Sequence, residues 1–188
     1  CQYGHQACAT LLLNMNTDAN KQETDGYSAL IWACDNNHES CARLLLDKGA
    51  DINHKRFNDG HSALIGACYS GHDACARLLL ETGAAKDQAR NDGVTPLLDA
   101  SFCGAAGCAR LLLAHGADPN VGNKDEGTTP CYTAAQNGHK AVVERLLARG
   151  ADPNKPMTRD GSTPCNSASQ NGHVAVLEVL LACGADPD

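Results

Sequence analysis

Eleven cysteines and eight histidines in 188 residues are enough for metal or thiol chemistry at several places. The stretch GACYSGHDAC, residues 66–75, sets Cys68 and Cys75 on either side of His72. Such a trio raises soft-metal ligation, a disulfide, or a reactive thiol as candidate chemistries. A structural zinc site needs four converging ligands, usually with CxxC-type spacing, and no CxxC pair occurs in the chain. A nucleophile elbow, a phosphate loop and a metal-binding helix motif are equally missing from the sequence. The cysteine count is odd, and the spacing is not that of a small secreted disulfide scaffold. An intracellular, reducing and most simply cytoplasmic setting is the expectation.

The elements that position these residues come from a repeat. DGYSALIWA starts at Asp25, DGHSALIGA at Asp59, DGVTPLLDA at Asp92, EGTTPCYTA at Glu126 and DGSTPCNSA at Asp160, at offsets of 34, 33, 34 and 34 residues. About a dozen residues into each copy comes Gly-His or a variant: Asn37-His38, Gly71-His72, Gly104-Ala105, Gly138-His139, Gly172-His173. A Leu-rich run follows, then GADIN, GAAKD, GADPN, GADPN or GADPD. Ser28, Ser62, Thr95, Thr129 and Thr163, each ahead of Ala or Pro, read as N-caps of a short first helix. A second helix carries the Leu stripe and stops at Gly49, Gly83, Gly116, Gly150 or Gly184, where a left-handed residue is needed. The Asp/Asn/Gly/Pro-rich stretch between copies reads as a hairpin-like turn. Isolated helices below about 12–15 residues are marginal in water, so only stacking of copies can bury their apolar faces.

In repeat register the cysteines form columns. Cys1, Cys34 and Cys68 share one position on the first helix, where later copies have Ala135 and Ser169. Cys8, Cys41, Cys75 and Cys108 share one on the second, where Val142 and Val176 follow. A position that accepts Cys, Val, Ala or Ser wants a small and mostly apolar side chain, a role free Cys fills. Packing is therefore the leading reading, with a disulfide between the two columns inside one repeat as the runner-up. His5, His38, His72, His139 and His173 all hold the Gly-His turn and are expected to cap the second helix. His54, His61 and His115 fall in loops.

The period, the DGxTPLxxA opening, the Gly-His turn and the closing LLLxxGADPN resemble the ankyrin repeat over essentially the whole chain. The resemblance implies an all-α solenoid of helix-turn-helix units joined by β-hairpin-like loops. It divides a single domain, 1–188, into a half repeat 1–24 and repeats 25–58, 59–91, 92–125, 126–159 and 160–188. No polar capping repeat is visible at either end, so a piece of a longer protein is expected. The family's usual His after Thr-Pro-Leu is replaced by Ile31, Ile65, Leu98, Tyr132 and Asn166, which implies a looser stack. The resemblance also implies that Asn53, Asn120 and Asn154, in the GADxN slot, are candidate acceptors for an asparaginyl hydroxylase.

Bulk composition narrows the partners. The net charge of −7, from 22 acidic against 15 basic residues, argues against a nucleic-acid groove or an anionic membrane surface. No apolar run approaches the ~20 residues of a membrane helix, and no secretory leader is read at the start. Aromatics are only 4% of the chain, against 43% hydrophobic residues overall. None of the seven lies on a second helix. In stacks of the resembled family the hairpins and first helices line a concave groove, so rings gathered there imply a protein-binding surface. Tyr27, Trp32, Phe57, Tyr69, Phe102 and Tyr132, with Asp35, His61, Arg90, Lys124 and Arg159 beside them, are the candidate contacts; Tyr3 is placed at the exposed end of a first helix. The binding centre is expected in the first three full repeats.

The expected function is a non-catalytic, monomeric interaction module without cofactor or metal. The alternative is a regulatory or targeting arm of a larger enzyme or channel. A redox or metal sensor built on the cysteine columns is a third reading.

Overall fold

The computed structural model describes residues 5–15 and 17–187, so the readings of Cys1 and Tyr3 lie outside the described residues. Eleven helices of seven to nine residues follow one another, with no strand among the described residues. Helix α1 (Gln6–Asn14) comes first among the described residues. Five pairs follow: α2 (Ala29–Asp35) with α3 (Glu39–Asp47), α4 (Ala63–Tyr69) with α5 (Asp73–Glu81), α6 (Pro96–Cys103) with α7 (Ala106–Ala114), α8 (Pro130–Gln136) with α9 (Lys140–Leu147), and α10 (Pro164–Gln170) with α11 (Val174–Ala182). First helices pack on first helices, and second helices on second helices, in chain order. The all-α solenoid expected from the repeat is what forms.

Local chemistry starts each first helix. The hydroxyls of Ser28, Ser62, Thr95, Thr129 and Thr163 accept from the backbone N–H three residues on, at 3.2–3.4 Å. Each bond satisfies a donor that the first helical turn leaves without a partner. At Asn166, one of the positions where the usual His is missing, the side chain accepts from the Thr163 N–H at 3.1 Å and completes a capping box. Ile31, Ile65, Leu98 and Tyr132, the other replacements, are all buried. They exchange a polar tie for apolar burial.

The core is a spine of one leucine per copy: Leu45, Leu79, Leu112, Leu146 and Leu180, each no more than 1% exposed. Alanines 33, 67, 100, 134 and 168 lie opposite at 0% exposure, small enough for neighbouring first helices to approach closely. Asparagines stitch the turns together. Asn20, Asn120 and Asn154 each donate to a glycine carbonyl in the next copy at 2.9–3.2 Å. Through Oδ1 they accept from Asp51, Asp152 and Asp186 N–H at 2.7–2.8 Å. Asn53 Oδ1 accepts likewise from Ala85 N–H at 2.8 Å. At the fifth such place stands Asp87, whose carboxylate accepts from Asp118 N–H at 3.3 Å and has no N–H to donate.

The histidines of the Gly-His turn behave differently from expectation. None of the five accepts a hydrogen bond from its own helix. Instead His72, His139 and His173 donate from Nε2 to the carbonyls of Asp35, Phe102 and Gln136, at 3.0–3.1 Å, on the preceding first helix. They tie repeats rather than cap helices. The side chain is too long to fold back onto its own first turn but spans the gap between neighbours.

Candidate partner-binding groove

The sequence candidates separate into a closed cluster and an open patch. The cluster begins at Tyr27, whose ring stacks on Trp32 with centroids 4.4 Å apart and planes 21° from parallel. Both are on the first full copy because residue 27 enters α2 and residue 32 lies at its middle. Tyr27 Oη donates to Asp35 Oδ2 at 2.9 Å. His61 Nε2, from the next copy, lies 3.1 Å from Asp35 Oδ1. The Arg56 guanidinium stands over the Tyr27 ring, 4.8 Å from its centroid, and forks onto Asp59 at 3.1 and 2.7 Å. Trp32 Nε1 donates to Glu23 at 3.2 Å. Burial, reinforced by the Asp35 carboxylate, pushes the Tyr27 phenol up to about 12, so it stays a neutral donor at any physiological pH.

Gly66 makes the cluster possible. It lies in the middle of α4, aligned with Trp32 of the copy before, and a Cβ there would collide with the Asp35 carboxylate and reach the His61 ring. A glycine inside a helix costs roughly 1 kcal/mol against alanine, and here it provides the space in which two repeats exchange an ion-pair-type contact. Arg56, Asp59, Glu23 and Gly66 were not singled out from sequence. The legible signal was the glycine, since one inside a helical pattern marks a close approach.

Arg90 and Asp99 form a second, more buried pair. Arg90 donates to Asp99 Oδ1 at 3.2 Å and lies 3.7 Å from Asp92. Asp99 is 3% exposed, and its Oδ2 has no hydrogen-bond partner. Burial pushes its carboxyl up to about 6, against the opposing pull of Arg90 and then His61.

The open patch is Phe57, Tyr69 and Phe102, which are 65%, 50% and 51% exposed. Tyr69 and Phe102 occupy the same register position at the ends of α4 and α6, two adjacent first helices. Phe57 lies in the turn before Asp59, edge-on to His54 with ring centroids 6.2 Å apart. Lys124 donates to Asn91 O at 3.0 Å and Arg159 to Glu126 at 2.7 Å, both exposed and both linking adjacent turns. Tyr132, expected among the contacts, is only 7% exposed. So buried, it offers a partner almost no surface.

All ten described cysteines are free thiols. The disulfide inside one repeat, the runner-up to packing, does not form among them; Cys75 Sγ and Cys108 Sγ instead lie 3.8 Å from Asn37 Oδ1 and 3.7 Å from Ala67 O of the preceding repeats. Among the described residues, no group of three or more His, Cys, Asp or Glu side chains is arranged to hold a metal. No helix of the described residues is long and apolar enough to cross a membrane.

A family model for ankyrin repeats, built of three copies, matches residues 1–56, 54–123 and 118–188. The chain belongs to the ankyrin repeat family. The ankyrin solenoid is similar to the crystal structure of the human ASB11 ankyrin repeat domain, with a TM-score of 0.88 and 28% sequence identity. That match covers 98% of this chain and 81% of the other. A search of curated proteins returns no match. Ankyrin repeats are in general protein-interaction modules and typically not catalytic.

Proposed function

We propose that this ankyrin stack binds a protein partner across the face formed by its hairpins and first helices, centred on Tyr69 and Phe102. The observation that carries the reading is the half-exposure of these two aligned rings in a chain with so few aromatics. Burying one aromatic side chain contributes roughly 1.5–3 kcal/mol, and aromatic anchors dominate interface hot spots. Neither ring is required by the repeat, since the same register holds Asp35, Gln136 and Gln170 elsewhere. Phe57 extends the patch toward the turns. Lys124 and Arg159 lie on its flank, where exposed charges set orientation more than affinity. The Tyr27, Trp32, Asp35 and His61 cluster supplies a rigid shoulder, so little ordering opposes binding.

The test is a side-by-side capture with three baits: the parent, Tyr69→Ala/Phe102→Ala, and Arg77→Ala/Arg110→Ala on exposed positions of α5 and α7. Loss of the captured protein with the first variant alone, at unchanged helicity and thermal midpoint, is the expected result. Equal retention by all three baits, or loss with the α5/α7 variant alone, overturns the assignment of the face.

A further inference from the structure

Buried polar atoms in a folded protein are almost always hydrogen-bonded, and each exception calls for an explanation. Among the described residues three side-chain atoms are buried without a partner: Arg90 Nε, Asp99 Oδ2 and Thr133 Oγ1. All three belong to one stretch of the first-helix face. Asp99 lies four residues past the Thr95 cap of α6, and Thr133 four past the Thr129 cap of α8, so they are aligned on two helices that pack together. Arg90, in the turn before α6, uses Nη2 on the other Asp99 oxygen, Oδ1, at 3.2 Å. Its Nε is 3.7 Å from Asp92 Oδ1, too far for a hydrogen bond. The Arg90 side chain is 25% exposed, which leaves a way in beside it. Asp35 is different, because Tyr27 Oη and His61 Nε2 stand 2.9 and 3.1 Å from its two oxygens.

Asp35 also indicates what lies over the unmet atoms. Seven residues past its cap, its carboxylate reaches the place of Gly66, four past the cap of the next copy. Tyr69 and Phe102 hold the register of Asp35, while Asp99 and Thr133 hold that of Gly66. Register therefore directs Tyr69 toward Asp99 and Phe102 toward Thr133. Both rings are half-exposed at helix ends, and exposed side chains change rotamer within nanoseconds.

We propose that Arg90, Asp99 and Thr133 form a subsite for the carboxamide of a partner's glutamine or asparagine, presented beside apolar residues that pack on Tyr69 and Phe102. This deepens the binding reading above and rests on it. The unmet atoms select the group. A carboxylate oxygen only accepts, a guanidinium nitrogen only donates, and a threonine hydroxyl does either. A carboxamide meets all three: its two N–H groups donate to Asp99 Oδ2 and Thr133 Oγ1, and its oxygen accepts from Arg90 Nε. A carboxylate guest would face Asp99 as a like charge. An ammonium guest would face Arg90 as one and offer it no acceptor. Arg90 and Asp99 already neutralise each other, which favours a neutral guest. Packed helices have axes about 8–10 Å apart, so one small polar group fits between aligned side chains. A main chain lying on the rings stays above them, and only a side chain reaches beneath.

The probes are butyramide, butyrate and butylammonium, one alkyl stem with three head groups. Each is titrated into the isotopically labelled chain at neutral pH, where the Asp99 carboxyl, pushed up to about 6, is ionised. Butyramide is expected to shift the Arg90 Nε–H and Thr133 amide resonances to saturation, and the other two are not. Thr133→Val keeps the shape and removes only the hydroxyl, and should weaken butyramide about tenfold. Random peptides selected on the parent should be enriched in Gln or Asn next to apolar residues, and that enrichment should vanish on Thr133→Val. A stronger response to butylammonium or butyrate, equal responses to all three, or no saturable shift at Arg90 and Thr133 overturns the proposal. If Tyr69→Ala/Phe102→Ala abolishes partner capture while butyramide leaves Arg90 unmoved, the subsite fails and the binding face stands. A butyramide site in a chain whose capture ignores the ring variant keeps the subsite and sinks the binding face.

Discussion

The two ends of the stack share one spine and differ on one face. From residue 25 to 91, the first-helix face carries Tyr27, Trp32, Asp35, His61 and Tyr69; from 126 to 188 the aligned positions are Thr128, Thr133, Gln136, Ser162 and Gln170. Behind them Leu45 and Leu79 are as buried as Leu146 and Leu180, and the hydroxyl caps are the same. Stacking therefore needs the spine, the caps and the turn ties, and leaves the face free. Whatever is unusual on the face is there for another reason.

The strongest way to break this comparison is to cut the spine at both ends. Leu79→Ala and Leu146→Ala should each lose about 2–5 kcal/mol in urea unfolding, and by similar amounts. A large difference between them would show that the halves are not equivalent in the core.

The pH dependence of Asp99 comes next. Its carboxyl titrates near 6 in the fold, above the ordinary 3.8, so the fold favours the protonated form. Its contribution is fully present below pH 3.8 and is lost as pH rises through 6. That loss is on the order of 3 kcal/mol between the two limits. Asp99→Asn should flatten the stability–pH curve between pH 4 and 7 relative to the parent. An unchanged curve would place the titration elsewhere.

Gly66→Ala and Thr133→Ala, at aligned positions, sharpen the contrast further. The first displaces the Asp35 carboxylate from His61 and is expected to cost about 1–2 kcal/mol despite better helix propensity. The second removes a buried hydroxyl that has no hydrogen-bond partner and should be nearly neutral. Equal effects would mean that the cluster adds nothing to the junction.

The smallest effects are gains. Ala105→His should supply the missing tie to the Tyr69 carbonyl, beside Gly71, as His139 does beside Gly104. Asp87→Asn should supply the missing amide donor in the turn ladder. Each is expected to raise stability by about 0.5–1.5 kcal/mol, measured by thermal unfolding. A loss at either position would show that the local backbone differs from its aligned neighbours.

The repeat itself was plain in the chain. Helix starts at Ser or Thr, stops at Gly, and the Leu stripe are local signals repeated every 33 or 34 residues, and local signals survive translation into structure. The face was legible only in part. Tyr69 and Phe102 emerge exposed because nothing in the repeat covers the end of a first helix. Tyr132 looked like them by type, yet its register, three residues past a cap, is one that the helix turns inward. Gly66, inside a helical pattern, marks a close approach, but that Asp35 and His61 fill the space it leaves is visible only in the fold.

Sequence alone determined the unit, its period and which residues share a register, because capping, helix termination and apolar patterning act within a few residues. Only the tertiary structure decided which register faces which. The bonds from His72 to Asp35, from His61 to Asp35, and from Cys75 to Asn37 join residues 26–38 apart, across repeat boundaries. A column of identical residues states that a place is reused. What stands opposite is set by the rise and rotation from one copy to the next, and that geometry comes from how the buried faces fit.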